Sequence, residues 1–425
     1  MSAFTTECYQ NEYLPLGESQ VNAIVTVTSD GVADEAAPPE AAEIVIMDTS
    51  GSMGVPRRKM EAARAATAVA IDCVRDGVAF GIIAGTEGAR DVYPTDGWLA
   101  VASEQTRADA KQAVGRLTAE GGTAIGSWLK LAARMFASAP GRRCHAILLT
   151  DGENQHETDE QLDRVLAELE GRFQCDCRGV GTDWRVSELR RIASTLLGSV
   201  DIIAEPEAMA DDFQALMQAA MGKATGNVAL RLWTPQGASV AFVRQVAPAI
   251  EELTGRGVQV NALTADYPTA TWGAESRDYH VCINVPPREV GDEMLAARVS
   301  LVEGEEPRTQ ALIKAIWTDD RQLSTRIERA VAHYTGQAEL AECIQEGVEA
   351  RKHGDLGAAT LKFGRAVKLA AESGHRDTMR LLQGVVEVDD ASTGTVRLKH
   401  DVKALDEMSL DTRSTATIRV GSTAT

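Results

Sequence analysis

The spacing of apolar residues changes character along the chain, and each change predicts a different kind of structure. Residues 20–28 (Gln-Val-Asn-Ala-Ile-Val-Thr-Val-Thr) alternate and are β-branched, which predicts a strand with one buried face. Residues 30–42 are rich in Ala, Pro, Glu and Asp and read as a linker. From 43 to about 222, short continuous apolar runs alternate with stretches of helical period. Strands are predicted at 43–47, 78–84, 144–150, 172–179 and 200–204. Helices are predicted at 59–75, 104–116, 126–137, 158–170, 185–195 and 207–222. Strands that are apolar at every position need cover on both faces, so this alternation predicts a doubly wound, mostly parallel α/β sheet.

From 226 the texture is different. Residues 228–233, 238–245, 259–264, 276–285, 296–303 and 309–317 read as strands separated by Gly, Pro and acidic turns, without helical signals. This predicts an antiparallel β-sandwich over 226–318. The strand at 20–28 has the same character, so 1–42 is expected to supply a strand to the sandwich, with the α/β domain (43–222) inserted between sandwich strands. The segment 319–386 is helical in pattern, with a helical hairpin at 337–352 and 356–373 broken by His353-Gly354-Asp355. Ala350, Ala358, Ala359, Phe363, Ala366 and Ala370 fall on its facing positions. A single hairpin cannot bury its own face, so it is expected to pack on the sandwich or on a partner. Residues 387–425 are polar and read as a flexible tail, its last dozen disordered.

Composition narrows the classes of function. A chain of 425 residues can hold two or three domains with real cores, and its hydrophobic fraction of 44% is ordinary for a globular protein. The formal net charge of -19 argues against binding nucleic acid or an anionic membrane, both of which need clustered positive charge. The N-terminus shows no basic and apolar leader pattern, and no run of 18 apolar residues is present. The seven cysteines are scattered; Cys175 and Cys177 form a Cys-x-Cys with no second Cys or His pair nearby, so packing is expected rather than zinc. These features predict a reduced, cytoplasmic protein.

The candidate chemistry lies where predicted strands end. Ile44-Val-Ile-Met-Asp48 is followed by the small-residue loop Thr49-Ser50-Gly51-Ser52. Glu120-Gly121-Gly122-Thr123 is a Gly-rich loop before the helix at 126, and Ile147-Leu-Leu-Thr-Asp151 is another buried strand ending in a carboxylate. Asp48, Ser50, Ser52, Thr123 and Asp151 should therefore converge on one rim of the sheet, at the strand ends where open α/β sheets place ligands. Carboxylates and hydroxyls are hard oxygen ligands, suited to Mg²⁺ or Mn²⁺ rather than zinc. No nucleophile or general base accompanies them. The Asp-x-Asp of haloacid-dehalogenase phosphatases is missing because position 50 is Ser, and no Gly-x-x-x-x-Gly-Lys phosphate loop occurs.

This pattern resembles the von Willebrand factor A family, whose metal-ion-dependent adhesion site reads Asp-x-Ser-x-Ser, then a distant Thr, then a distant Asp. The resemblance covers about 43–222 and implies a Rossmann-like fold. It also implies roles. Ser50 and Ser52 bind the metal (Mg²⁺, or Mn²⁺ or Ca²⁺) directly, and Thr123 does so directly or through water. Asp48 and Asp151 act mostly through water and orient the hydroxyls. A partner's Asp or Glu fills the position left open. The wider layout resembles bacterial cytoplasmic proteins of this family with a following β-domain and helical C-terminus. That layout implies a non-enzymatic scaffold in a Ser/Thr kinase and phosphatase signalling or stress-response module; an accessory subunit of an AAA+ remodelling or metal-insertion machine is the alternative. In the tail, Thr412, Thr415 and Thr417 lie among Arg413 and Arg419, a pattern that suits a basophilic Ser/Thr kinase and a forkhead-associated reader. His145 is expected to be a packed core histidine, His156 to lie near the rim, and Arg277-Asp278-Tyr279-His280 to form a charged strand edge.

Overall fold

A computed structural model of the chain describes residues 3–31, 41–223, 225–226 and 228–419. Most of the expected linker, 32–40, lies outside the described residues. The chain divides into two units, and one interrupts the other in sequence: residues 34–223 form the first, and 1–33 with 224–425 form the second.

Before the interruption the chain forms β1 (Phe4–Gln10), β2 (Tyr13–Pro15) and β3 (Gln20–Asp30). The interrupting unit begins with β4 (Ala41–Asp48), α1 (Arg57–Cys73), β5 (Ala79–Gly85), β6 (Ala89–Tyr93), β7 (Ala100–Val101) and α2 (Glu104–Gly115). It continues with α3 (Ile125–Phe136), β8 (Arg143–Thr150), α4 (Asp159–Leu169), β9 (Gln174–Val180), α5 (Val186–Thr195), β10 (Val200–Ile203) and α6 (Met209–Met221). Its sheet has the order β10-β9-β8-β4-β5-β6, with β7 also paired to β5. Every residue of β4 is buried. Val45 and Met47 pack with Met60, Ala63 and Phe213. Ile44 and Ile46 take the other face, by the two-residue period of a strand, and are as fully buried. From β4 the chain builds first to one side (β5) and later to the other (β8, β9, β10). That reversal opens a crevice beyond the carboxyl ends of β4 and β8. The antiparallel strands β6 and β7 carry almost no apolar pattern, since only Val92 in them is buried; at a sheet edge one face suffices.

The second unit continues with β11 (Val228–Trp233), β12 (Ser239–Ala247), β13 (Glu251–Glu252), β14 (Val258–Asn261), β15 (Thr264–Pro268), β16 (Ala274–Asn284), β17 (Glu293–Glu303) and β18 (Glu306–Thr318). These form two sheets, β1-β3-β16-β12-β13 and β14-β15-β11-β17-β18-β2. Val21, Ala23, Val25 and Val27 of β3 share a core with Leu230, Leu232, Val299, Leu301, Ile313 and Trp317. The run Arg277–His280 is not a charged edge. β16 lies between β3 and β12, and Arg277, Asp278, Tyr279 and His280 are all buried. Three of the four find local partners: Arg277 stacks on Trp272 at 4.2 Å, Asp278 accepts from Thr26 at 2.7 Å and from Tyr334, and His280 bonds Asn22 at 2.9 Å.

The remaining elements are α7 (Arg321–Ser324), α8 (Arg329–Lys352), α9 (Leu356–Ser373), α10 (Arg376–Val385), β19 (Val386–Asp390), β20 (Thr395–Leu398) and α11 (Ala404–Thr412). The N-terminal part of α8 meets the sandwich, where Ala330 and Tyr334 pack with Ile24, Val246 and Ala247. The hairpin α8–α9 is closed by the segment read as a flexible tail. From it, Val396 and Leu410 join Val386, Ile344, Val348, Phe363 and Val367 in one core. Gly364 and Gly394 let α9 approach the β19–β20 turn closely, because a Cβ on Gly364 would lie 2.4 Å from the Gly394 carbonyl oxygen. The expected flexibility of 387–425 is therefore corrected through residue 419. The alternating pairs Val386/Val388 and Val396/Leu398 are too short to stand out among Asp, Ser and Thr, yet a waiting hairpin face gives them a place to pack. Residues 414–419 also form a strap: Ile250 N–H donates to Thr415 O at 2.8 Å, Thr417 Oγ1 to Val246 O at 2.7 Å, and Arg419 pairs with Asp278. The rest of the tail, 420–425, lies outside the described residues.

Candidate metal centre

Asp48 ends β4 and Thr150 ends β8, so the two loops that follow leave the sheet side by side. Asp48 is wholly buried. Its Oδ1 accepts from the Ser50 N–H at 2.7 Å and its Oδ2 from Thr150 Oγ1 at 2.6 Å. These bonds fold the loop back, so that the Ser50 and Ser52 hydroxyls stand 2.9 Å apart. Burial pushes the Asp48 carboxyl up to about 6; hydrogen bonds from Ser50 and Thr150 oppose this, and the nearby Asp151 adds to it.

Asp151, also wholly buried, follows β8 directly. Its Oδ1 accepts from Ser52 Oγ at 2.6 Å, and its Oδ2 faces Lys59 Nζ at 2.7 Å. A hydroxyl has one proton, so with Ser52 donating to Asp151, Ser50 donates to Ser52. Both serine oxygens keep lone pairs for a ligand.

Thr123 is held by a clamp on the Gly-rich loop. Gly51 N–H donates to Gly121 O at 2.9 Å, Gly122 N–H to Glu87 Oε2 at 2.7 Å, and Thr123 N–H to His156 Nδ1 at 3.2 Å. Gly121 has φ +75°, and a Cβ on Gly122 would fall 1.9 Å from His156 Cε1, so only glycine fits there. Thr123 Oγ1 has no hydrogen bond within the described residues. A Cβ on Gly152 would lie 3.4 Å from Ser52 Oγ and 3.7 Å from Thr123 Oγ1, so those two hydroxyls face the same small space. The donor set of Asp48, Ser50, Ser52, Thr123 and Asp151 thus comes together at one rim, and its hard oxygens fit a divalent cation of the Mg²⁺ type.

Several supporting groups carry no motif of their own. Lys59 and Thr150 hold the two carboxylates. Glu87 grips the Gly-rich loop, and the Gly122 N–H holds its carboxyl below the usual range. Asn154 and Glu157 accept from the N–H groups of Ile125 and Gly126 at 3.0 and 2.6 Å, capping α3, which has no cap of its own. Their one sequence signal is proximity to Asp151.

The remaining candidates lie elsewhere. Cys175 and Cys177 are buried in β9, and among the described residues no group of three or more His, Cys, Asp or Glu gathers to hold a metal. His145 is buried near the start of β8 and bonds Glu43 at 2.7 Å and Asp176 at 2.9 Å. Thr412, Thr415 and Thr417 belong to the other unit; Thr412 is buried, and Thr417 is bonded into the strap.

Residues 42–202 match the von Willebrand factor type A domain, and residues 368–414 match the von Willebrand factor type A C-terminal domain. The structure of a von Willebrand factor type A protein from Catenulispora acidiphila is 50% identical; the match covers 98% of this chain and 97% of that one, with a TM-score of 0.94. The ArnB paralog VWA2 from Sulfolobus acidocaldarius, 14% identical over 97% of this chain and 98% of that one at a TM-score of 0.57, shares the fold. An uncharacterised Synechocystis protein is 31% identical over 218 residues, and the chain spans about half the length (49%) of this curated relative, with 49% of its own. Domains of this family are generally metal-dependent protein-interaction modules. With half of its residues identical across nearly the whole length of a solved relative, the chain belongs to the von Willebrand factor type A family.

Proposed function

We propose that the rim of the α/β unit holds a divalent cation, with Mg²⁺ the first choice and Mn²⁺ or Ca²⁺ as substitutes, and captures a protein partner through that partner's Asp or Glu. The observation that carries this is the hydroxyl chain. Ser50 donates to Ser52 and Ser52 to Asp151, while a Cβ added at Gly152 would touch both Ser52 and Thr123, so the two hydroxyls face one space. Ser50, Ser52 and Thr123 would supply the oxygens, and Asp48 and Asp151 would orient them. A bound cation supplies Lewis acidity toward one outside carboxylate. Three neutral hydroxyls screen it little, which favours an anionic partner group over a further water.

Capture of partner proteins from the native cell extract in Mg²⁺ against chelator tests this. Partners retained in Mg²⁺ are expected to be lost in chelator and with Asp48→Ala. Capture indifferent to both contradicts the proposal.

A further inference from the structure

Lys59 is a charged group that the ligation scheme does not use. We propose that it is a resident counter-cation of the centre: it weakens the hold on the divalent cation and strengthens the capture of an outside carboxylate. This rests on the divalent-cation reading above. Lys59 Nζ lies 2.7 Å from Asp151 Oδ2, and its side chain is 13% exposed against 0% for Asp151, so solvent screens the pair little.

Its position on α1 is a second observation. Lys59 sits in the first turn of α1 beside Arg57 and Arg58, and that turn has no acidic residue and no side-chain cap. Cations oppose the helix dipole at this end. Arg57 and Arg58 stay exposed, Arg58 facing Glu205 and Glu207, but Lys59 turns inward to Asp151. A charge placed against the dipole and out of water is tolerated where a carboxylate compensates it.

The charge balance gives the consequence. Asp48 and Asp151 alone would neutralise a divalent cation completely. With Lys59 present, the cation meets a single net negative charge and, once bound, leaves a net positive one. An incoming Asp or Glu then completes neutrality. Lys59 thus shifts interaction free energy from holding the metal to holding the partner.

The test uses the full chain as wild type, Lys59→Gln and Lys59→Arg. Mn²⁺ is titrated in and followed by electron paramagnetic resonance; an Asp-containing peptide is then titrated into the loaded protein. Lys59→Gln is expected to bind Mn²⁺ about tenfold tighter and the peptide about tenfold more weakly, as befits one lost charge at short range. Lys59→Arg should stay near wild type. Unchanged or weaker Mn²⁺ binding by Lys59→Gln, with its circular dichroism native, overturns the role of Lys59. Wild-type protein that binds no Mn²⁺ overturns the metal reading itself.

Discussion

Asp48 and Asp151 are equally buried, yet their partners give them different tasks. Asp48 receives a backbone N–H and the Thr150 hydroxyl, so it shapes the loop. Asp151 receives the Ser52 hydroxyl and faces Lys59, so it sets the charge of the rim. Their residue types, order and placement at strand ends were readable from the sequence, because each ends a buried apolar run. Lys59 was not, because nothing in a helical run of Arg-Arg-Lys tells which cation turns inward. His145 makes a similar point. It was expected to be a packed core residue, and it is buried, but between Glu43 and Asp176. Burial opposes its charge; the two carboxylates win and push its pKa from 6.5 up to about 10. A group raised in the folded state gives stability that is whole below its unfolded pKa and is lost as pH rises through its folded pKa. Unfolding free energy should therefore decline between pH 6.5 and about 10, and His145→Gln should flatten that decline in urea titrations. Because His145→Ala leaves the buried Glu43 carboxylate without its partner, it should cost about 3–5 kcal/mol in the same measurement.

Among the elements, the C-terminal ones depart most from expectation. The strands and helices of 43–222 were legible because each carries its own period, whereas β6, β7, β19, β20 and α11 are short and take their order from neighbours. Val396 and Leu410 sit among polar residues, and the face of α8 and α9 gives them a core. Truncation after residue 386 should consequently lower the melting temperature and expose dye-binding apolar surface, where a disordered tail would have been silent. Gly364→Ala presses on the Gly394 carbonyl and should cost about 1–3 kcal/mol by chemical denaturation. The strap bears on phosphorylation too. Thr412 is buried and Thr417 Oγ1 donates to Val246 O, so a kinase reaches them only after release. A basophilic Ser/Thr kinase is expected to label a synthetic 405–425 peptide faster than the intact chain, by mass spectrometry; equal rates would show that the strap does not protect these threonines.

At the scale of the whole molecule, the α/β unit is an insertion with its own core, since the apolar cluster around β4, α1 and α6 draws all its members from residues 41–221. The interrupted order was readable from the sandwich character of residues 20–28, which as β3 pair with β16 some 250 residues on. The acidic balance of the chain, -19, is compatible with the proposed cation centre. What the whole molecule does rests on that centre holding a metal in the context of the full chain. The most direct measurement is a calorimetric titration of the full chain with Mn²⁺, run beside the Ser50→Ala/Ser52→Ala double variant. One saturable site in the wild type, lost in the double variant while its melting curve stays cooperative, is the predicted result. A wild type that binds no Mn²⁺, or a double variant that binds it equally well, would contradict the account.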